Sequence, residues 1–327
     1  MPAAYAETYA RPEKIVMLWD YISRIEDNLR PEKRIKHRGL DVLSPTWFSI
    51  RNGAGDLSSL ADRNYVRWAH DNGIKVWAVF ENESKDSLTA TALSNRNKRK
   101  KIIDQLAGFA WEYNLDGINI DFEAMSSSTG KLFELFMAEL YERLHPLGIT
   151  ISVDIPFPVG DIQKIYNIGL IAKNCDYVVM MGYDQHHRES HTFGPVAAID
   201  WVRQGIKDTL QHVGRDRIIL GIPFYTRVWE ENREGGAIRT ASELMGMKEA
   251  YDMFNKTASV WGRDRATEQI YAEFDVGQKR YKAWLEDIHS LSLKLDAVYD
   301  YNLAGLSAWR RGWEWNEIWD MINKYFQ

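Results

Sequence analysis

Leu115-Asp116-Gly117-Ile118-Asn119-Ile120-Asp121-Phe122-Glu123-Ala124-Met125 is the stretch whose reading decides the fold. Side chains on a strand alternate between two faces. Ile118, Ile120 and Phe122 share one face, apolar enough to pack against helices. Asn119, Asp121 and Glu123 share the other, which in a closed barrel points inward. Barrel interiors are ordinarily filled by branched apolar side chains, and inward acids are costly unless hydrogen-bonded or shifted in pKa. Two acids at the C-terminal end of a barrel strand therefore read as a functional site rather than a structural salt bridge.

Outward from this segment, short β-branched or aromatic runs alternate with amphipathic stretches along nearly the whole chain. The other candidate strands are Ile15–Trp19, Val42–Trp47, Lys75–Phe80, Thr150–Ile155, Tyr177–Met181, Ile218–Ile222 and Gly305–Trp309. The clearest helix runs from Lys131 to Leu144, with Leu132, Phe133, Leu135, Phe136, Leu140 and Leu144 on its apolar side. Further helices are expected at 65–70, 98–111, 162–172, 197–213, 281–289 and 317–325, with only a short one in the first connection. Eight alternating units predict an α/β fold, a (β/α)8 TIM barrel, with a doubly wound open sheet as the alternative. One connection is too long: after the seventh strand, near Pro223, no convincing helix begins before Tyr281. The polar stretch between, about 230–280, reads as an insertion before the last helix–strand unit. Residues 1–327 are read as one catalytic domain carrying it.

Composition narrows the class. The apolar content, 45% of 327 residues, excludes a disordered chain. No run approaches the roughly 18 uncharged apolar residues of a membrane helix. A formal charge of −5 argues against phosphate neutralisation, so neither nucleic acid nor membrane is an expected partner, and a monomer is expected. The single Cys175 excludes a disulfide framework. Thirteen Trp, 16 Tyr and 12 Phe are enough to supply both a core and platforms for flat ligands such as sugar rings. The start, Met1 to Tyr5, has neither a basic run nor an apolar stretch of the kind that marks a leader.

Paired carboxylates suit glycoside hydrolysis, where one acid must keep its proton for the leaving oxygen. Asp121 and Glu123 stand two apart on one face, so they cannot flank a sugar from opposite sides. Either another acid completes the pair, or the substrate supplies its own nucleophile.

Asp116-Gly117-x-x-x-Asp121-x-Glu123 resembles the signature of glycoside hydrolase family 18, the chitinase-like barrels. Met181-Gly182-Tyr183-Asp184 after the sixth strand, Gly221-Ile222-Pro223-Phe224-Tyr225-x-Arg227-x-Trp229 after the seventh and Gly305-Leu306-Ser307-Ala308-Trp309 on the eighth are similar to further motifs of that family. The resemblance implies a retaining, substrate-assisted mechanism without a cofactor. Glu123 would protonate the glycosidic oxygen, while the sugar's 2-acetamido carbonyl attacks the anomeric carbon. Asp121 would hold the acetamido N–H, Tyr183 would donate to its oxygen, Asp184 would bind sugar hydroxyls, and Trp309 would form the floor. Asn119 and Met181 would line the same site. Many chitinases carry Asp where this chain has Asn119; its amide is expected to donate to Asp121. Phe193-Gly194-Pro195-Val196-Ala197, Trp284-Leu285-Glu286-Asp287 and Leu303–Trp309 resemble the spore-cortex-lytic branch. That branch implies N-acetylglucosamine glycan of peptidoglycan as the substrate and an extracellular, cell-wall or spore-associated location. A chitinase is the runner-up, and a non-hydrolytic lectin is disfavoured because the proton donor is present.

Other candidates are less specific. Tyr225 and Arg227 are candidates for sugar contact, or an ordinary cluster with Trp229. Trp47, at the end of the second strand, is a further candidate, and Asp154 shares a face with Ser152. His186, His187 and His191 fit no common zinc spacing, so no metal is expected.

Overall fold

A computed structural model describes residues 14–29, 31, 39–158, 160, 162–190, 192–232 and 239–326. Strands β1 (Ile15–Asp20), β2 (Val42–Ile50), β3 (Leu57–Ser59), β4 (Lys75–Glu81), β5 (Gly117–Asp121), β6 (Thr150–Ile155), β7 (Tyr177–Met181) and β8 (Ile218–Pro223) follow in order. After them come β9 (Tyr225–Asn232), β10 (Arg239–Gly246), β11 (Val260–Asp264), β12 (Gln269–Val276), β13 (Lys279–Leu285) and β14 (Gly305–Trp309). A nine-stranded sheet runs β1-β14-β8-β7-β6-β5-β4-β2-β3, and β1 pairs with β2 to close it. Every pairing in it is parallel except that of β3 with β2, which leaves the eight strands of a (β/α)8 barrel.

Strand alternation separates two layers. Met17, Trp19, Val42, Trp77, Val79, Val179 and Ile219 fill the interior. Ile118, Ile120 and Phe122 pack outward, where the Phe122 ring lies 5.1–5.8 Å from those of Phe80, Phe133 and Phe136. Gly117 starts β5 because a Cβ there would sit 2.5 Å from the Trp77 indole. The helix opposite is Ser127–Leu144, begun where the Ser126 side chain accepts from the Thr129 N–H. It buries Phe133, Phe136, Met137, Leu140 and Leu144. Leu135, expected on that face, is 51% exposed, because two positions beyond Phe133 is about 200° around the helix. The helix expected over 162–172 is broken into Ile162–Ile165 and Ile168–Ile171, the second capped by Asn167. Among the described residues of the first connection is the short 3₁₀ turn Ile25–Asn28. No helix among the described residues is long and apolar enough to cross a membrane.

The long connection after β8 forms a second sheet, antiparallel, in the order β10-β9-β13-β12-β11. The helix Met247–Thr257 covers one face, with Ala250 and Phe254 against Val228, Ala272, Phe274, Ala283 and Leu285. The helix expected from Tyr281 is instead β13. Tyr281, Ala283 and Leu285 recur with the strand period of two, and the helix starts only at Ile288, behind an Asp287–Ser290 capping box.

Candidate active site

The acids collect at the mouth of the barrel, where the strands end. Asp121 closes β5, and Glu123 lies just beyond it on the same side. Asn82, itself buried, grips the Glu123 backbone twice: its Oδ1 accepts from the Glu123 N–H at 2.9 Å and its Nδ2 donates to the Glu123 carbonyl at 2.9 Å. Tyr166 donates to the neighbouring Phe122 carbonyl. Ala124, at φ 51°, turns the chain away immediately afterwards. The backbone that carries Glu123 is thus fixed on both sides, while among the described residues its carboxyl receives only a long 3.4 Å contact from Ser84 Oγ.

Burial dominates the electrostatics. It pushes the Glu123 pKa above the ordinary value, helped by the charge of Asp184 and opposed by the Ser84 hydroxyl. Asp121 is raised well above the usual range, by burial and then by Glu123, Asp154 and Glu81. Asp154 is raised as well, again chiefly by burial. Protons on such a cluster belong to the group rather than to one residue. Tyr183 lies against the same acids, with Trp19 and Tyr225 edge-on to its ring at 6.4 and 6.1 Å. Burial, Tyr225 and the acids push its pKa far up, so its hydroxyl stays a donor.

Asn119 faces the interior, but its expected bond to Asp121 is not made. Its Nδ2 donates to Asp154 Oδ1 at 2.7 Å and Ser152 Oγ at 3.0 Å, and its Oδ1 accepts from Trp19 Nε1 at 2.9 Å. The amide is drawn sideways to the neighbouring strand β6 rather than along its own strand. Asp154 therefore does reach the site, through Asn119.

The remaining candidates divide. Asp184, at φ 60°, accepts from the Tyr225 hydroxyl at 2.7 Å. Met181 is buried at the end of β7. Trp309 is half-buried, with its ring 6.0 Å from Trp19 and 6.4 Å from Tyr21. Arg227 is buried, donates to Ser242 Oγ at 3.1 Å and lies over the Trp229 ring. Trp47 is a correction: only 2% exposed, it packs edge-on to Tyr65 in the outer layer and donates to Asn28, so neither ring face is open to a sugar. His186 faces the Pro195 carbonyl at 2.9 Å, His187 lies in the same loop, and His191 is outside the described residues. Among the described residues, no three His, Cys, Asp or Glu side chains are arranged to hold a metal ion.

Several residues of the site were not among the sequence candidates: Trp19, Asn82, Ser84 and Tyr166, and Glu81, which is in register with Asp121 across β4 and β5. Trp77, Val79 and Glu81 continue one inward alternation, which would have pointed to it had the strand been read one residue further.

Comparison with known proteins gives a consistent result. The sequence profile of glycosyl hydrolases family 18 matches residues 10–313. The glycosylase YvbX of Bacillus subtilis, itself uncharacterized, is 24% identical over 303 residues, covering 88% of this chain and 85% of that protein. The cortical fragment-lytic enzyme of Bacillus subtilis is 22% identical, covering 93% and 72%. The crystal structure of a chitinase from Chromobacterium violaceum superposes with a TM-score of 0.81 at 19% identity, covering 95% and 98%.

Proposed function

The chain belongs to glycosyl hydrolase family 18 and is a glycoside hydrolase, and from that premise we propose that it cleaves β-linked N-acetylglucosamine glycans with retention, by substrate assistance. The observation that carries the reading is that Asp121 and Glu123 stand on one strand end at the barrel mouth, with Tyr183 near enough that the charges of both raise its pKa. Two carboxylates so placed cannot work from opposite faces of a ring. They can both serve a sugar that brings its own nucleophile.

Glu123, whose pKa burial raises, gives its proton to the glycosidic oxygen as the C1–O bond breaks. The 2-acetamido carbonyl oxygen bonds to C1 from the other side, and a cyclic oxazolinium forms. Asp121 accepts the acetamido N–H and opposes the developing positive charge. Tyr183 donates to the acetamido oxygen, and the Tyr225–Asp184 pair offers a carboxylate oxygen to a neighbouring sugar hydroxyl. Trp309 supplies the apolar floor. Water then attacks C1, Glu123 takes its proton, and the ring opens to a β-configured product.

The preferred substrate is peptidoglycan of spore cortex or cell wall. The cortical fragment-lytic relative, named for that activity, supports this choice. Digestion of purified cortex peptidoglycan and of chitin oligomers, read by mass spectrometry and early-time proton NMR, is the test. Cleavage of cortex glycan to β-anomeric ends is expected. Cleavage of chitin oligomers alone would make the enzyme a chitinase, and α-anomeric ends would exclude retention.

A further inference from the structure

Trp309-Arg310-Arg311 leaves the end of β14 with two arginines in a row, and the two meet opposite surroundings. Arg311 donates its Nε–H to Asp20, a buried acid that also accepts from the Tyr65 hydroxyl at 2.9 Å. Arg310 has no such counter-charge. Among the described residues its side chain forms no ion pair and no hydrogen bond. Burial first, then Arg311, hold its pKa below the usual guanidinium value, and Tyr21, Asp20 and Glu314 act the other way through charge alone. Asp20 is taken by Arg311, and Glu314 has contacts of its own.

What holds Arg310 is aromatic. Its Cζ lies over the Trp313 ring at 4.0 Å and over the Tyr21 ring at 4.9 Å. Each of these rings in turn meets a residue of the site. Tyr21 lies 6.4 Å from the Trp309 ring, and Trp313 lies 5.6 Å from the ring of Tyr225, whose hydroxyl donates to Asp184. The guanidinium is thus fixed at the rim of the barrel mouth, beside the floor given to the reacting sugar. A guanidinium packed on aromatic rings spends none of its N–H donors on them, and its planar fork still matches a carboxylate in two parallel hydrogen bonds. Arg310 is half-buried, so its charge is partly desolvated without a partner to offset the cost. An anion on the substrate would supply that partner.

We propose that Arg310 is a specificity-determining residue: its guanidinium binds a carboxylate carried by the glycan on a sugar next to the one over Trp309. The inference rests on the substrate reading above, which seats the reacting sugar on Trp309. A strand of N-acetylglucosamine alone has no such group. In peptidoglycan alternate sugars carry an O-3 lactyl ether, whose carboxylate is either free or extended by a peptide with carboxylates of its own. Both sources offer the same planar anion. Arg310 therefore favours the anionic strand over the neutral one by attraction.

Wild type, Arg310→Gln and Arg310→Lys, compared on soluble glycans, test the idea. The substrates are a neutral N-acetylglucosamine oligomer, a peptidoglycan strand stripped of peptide, and a strand that keeps its peptides. Each of the two strands is also used with its carboxyls converted to methyl amides. Wild type should favour a carboxylated strand over its amide by roughly 10-fold in kcat/KM, about the worth of a hydrogen bond between charged groups. Arg310→Gln should lose most of that preference, and Arg310→Lys, which keeps the charge without the fork, should fall between. A preference on the stripped strand assigns the anion to the lactyl group; one confined to the peptide-bearing strand assigns it to the peptide. A wild type indifferent to amidation of both strands would overturn the proposal. So would a Gln variant that keeps the wild-type ratio, or one that loses the same factor on every substrate, the mark of a mere support for Trp309. The comparison of amidated and free strands in wild type decides the matter even if the Gln variant does not fold. A wild type inert on the oligomer and on both strands would remove the functional reading and this inference with it. An active wild type that ignores amidation, or that cleaves the neutral oligomer alone, would leave a hydrolase and remove the role of Arg310.

Discussion

Glu286, between the inserted sheet and the helix that starts at Ile288, and Asp121, at the barrel mouth, are both buried acids, and burial raises the pKa of each. Their partners differ completely. Glu286 accepts from Lys294 Nζ at 2.9 and 3.0 Å, from Ser290 Oγ at 2.6 Å and from Gln269 Nε2 at 2.8 Å. Lys294 is 1% exposed, so each charge has its counter-charge inside the protein. Around Asp121 stand Glu123, Asp154 and Glu81, all acids, and one of its oxygens is unsatisfied. A buried acid matched by a cation and two further donors is a joint. Acids buried against one another are a store of protons. A raised pKa alone does not tell the two apart; the list of partners does.

The largest effect should come from Glu123→Gln. Loss of the proton donor is expected to lower kcat by about 10²–10⁴-fold, with melting temperature equal to or above wild type, since a buried acid is removed. Lys294→Met should do the reverse. It strands Glu286 without its cation and should cost about 3–5 kcal/mol of stability by denaturant titration, with specific activity at low temperature unchanged. Lys294→Met with Glu286→Leu should recover most of that loss. A stability loss in the first variant, or an activity loss in the second, would break the comparison.

Asn119→Asp sharpens it. The new acid faces Asp154 in place of a 2.7 Å donor. Stability should fall by roughly 1–3 kcal/mol, more at pH 8 than at pH 5, because a further proton must be shared. The smallest effect concerns stability against pH. The folded-state pKa of Glu81, about 7, lies above its ordinary 4.5. The folded protein therefore holds a proton that the unfolded chain releases, and stability from this group is lost as pH rises from about 4.5 through about 7. Glu81→Gln should remove that part of the slope, so melting temperatures of variant and wild type should diverge over this window.

The barrel was legible because strand alternation is local: the inward face of Asn119, Asp121 and Glu123 can be read from five residues. The partner of Asn119 was not, since Ser152 and Asp154 lie a strand away and only the closed register brings them within 3.0 Å. Trp47 misled because position near a strand end says nothing of which layer receives the ring. Tyr281 to Leu285 misled because a short aromatic and aliphatic run fits either period, and the cross-strand neighbours in β12 and β9 settle it. Glu81 and Asn82 are hard to read because acids and amides at strand ends usually belong to solvated turns, and only the closed register brings them beside Asp121 and Glu123.

The central claim is that the sugar's own acetamido oxygen, and no protein carboxylate, attacks the anomeric carbon. Two β-linked glucosamine oligomers, identical except that one has lost the acetyl group from the sugar at the cleavage point, test it directly. The acetylated oligomer should be hydrolysed and the deacetylated one should be inert at every pH where the first is cleaved. Efficient cleavage of the deacetylated oligomer, abolished by loss of a single protein carboxylate, would contradict the account.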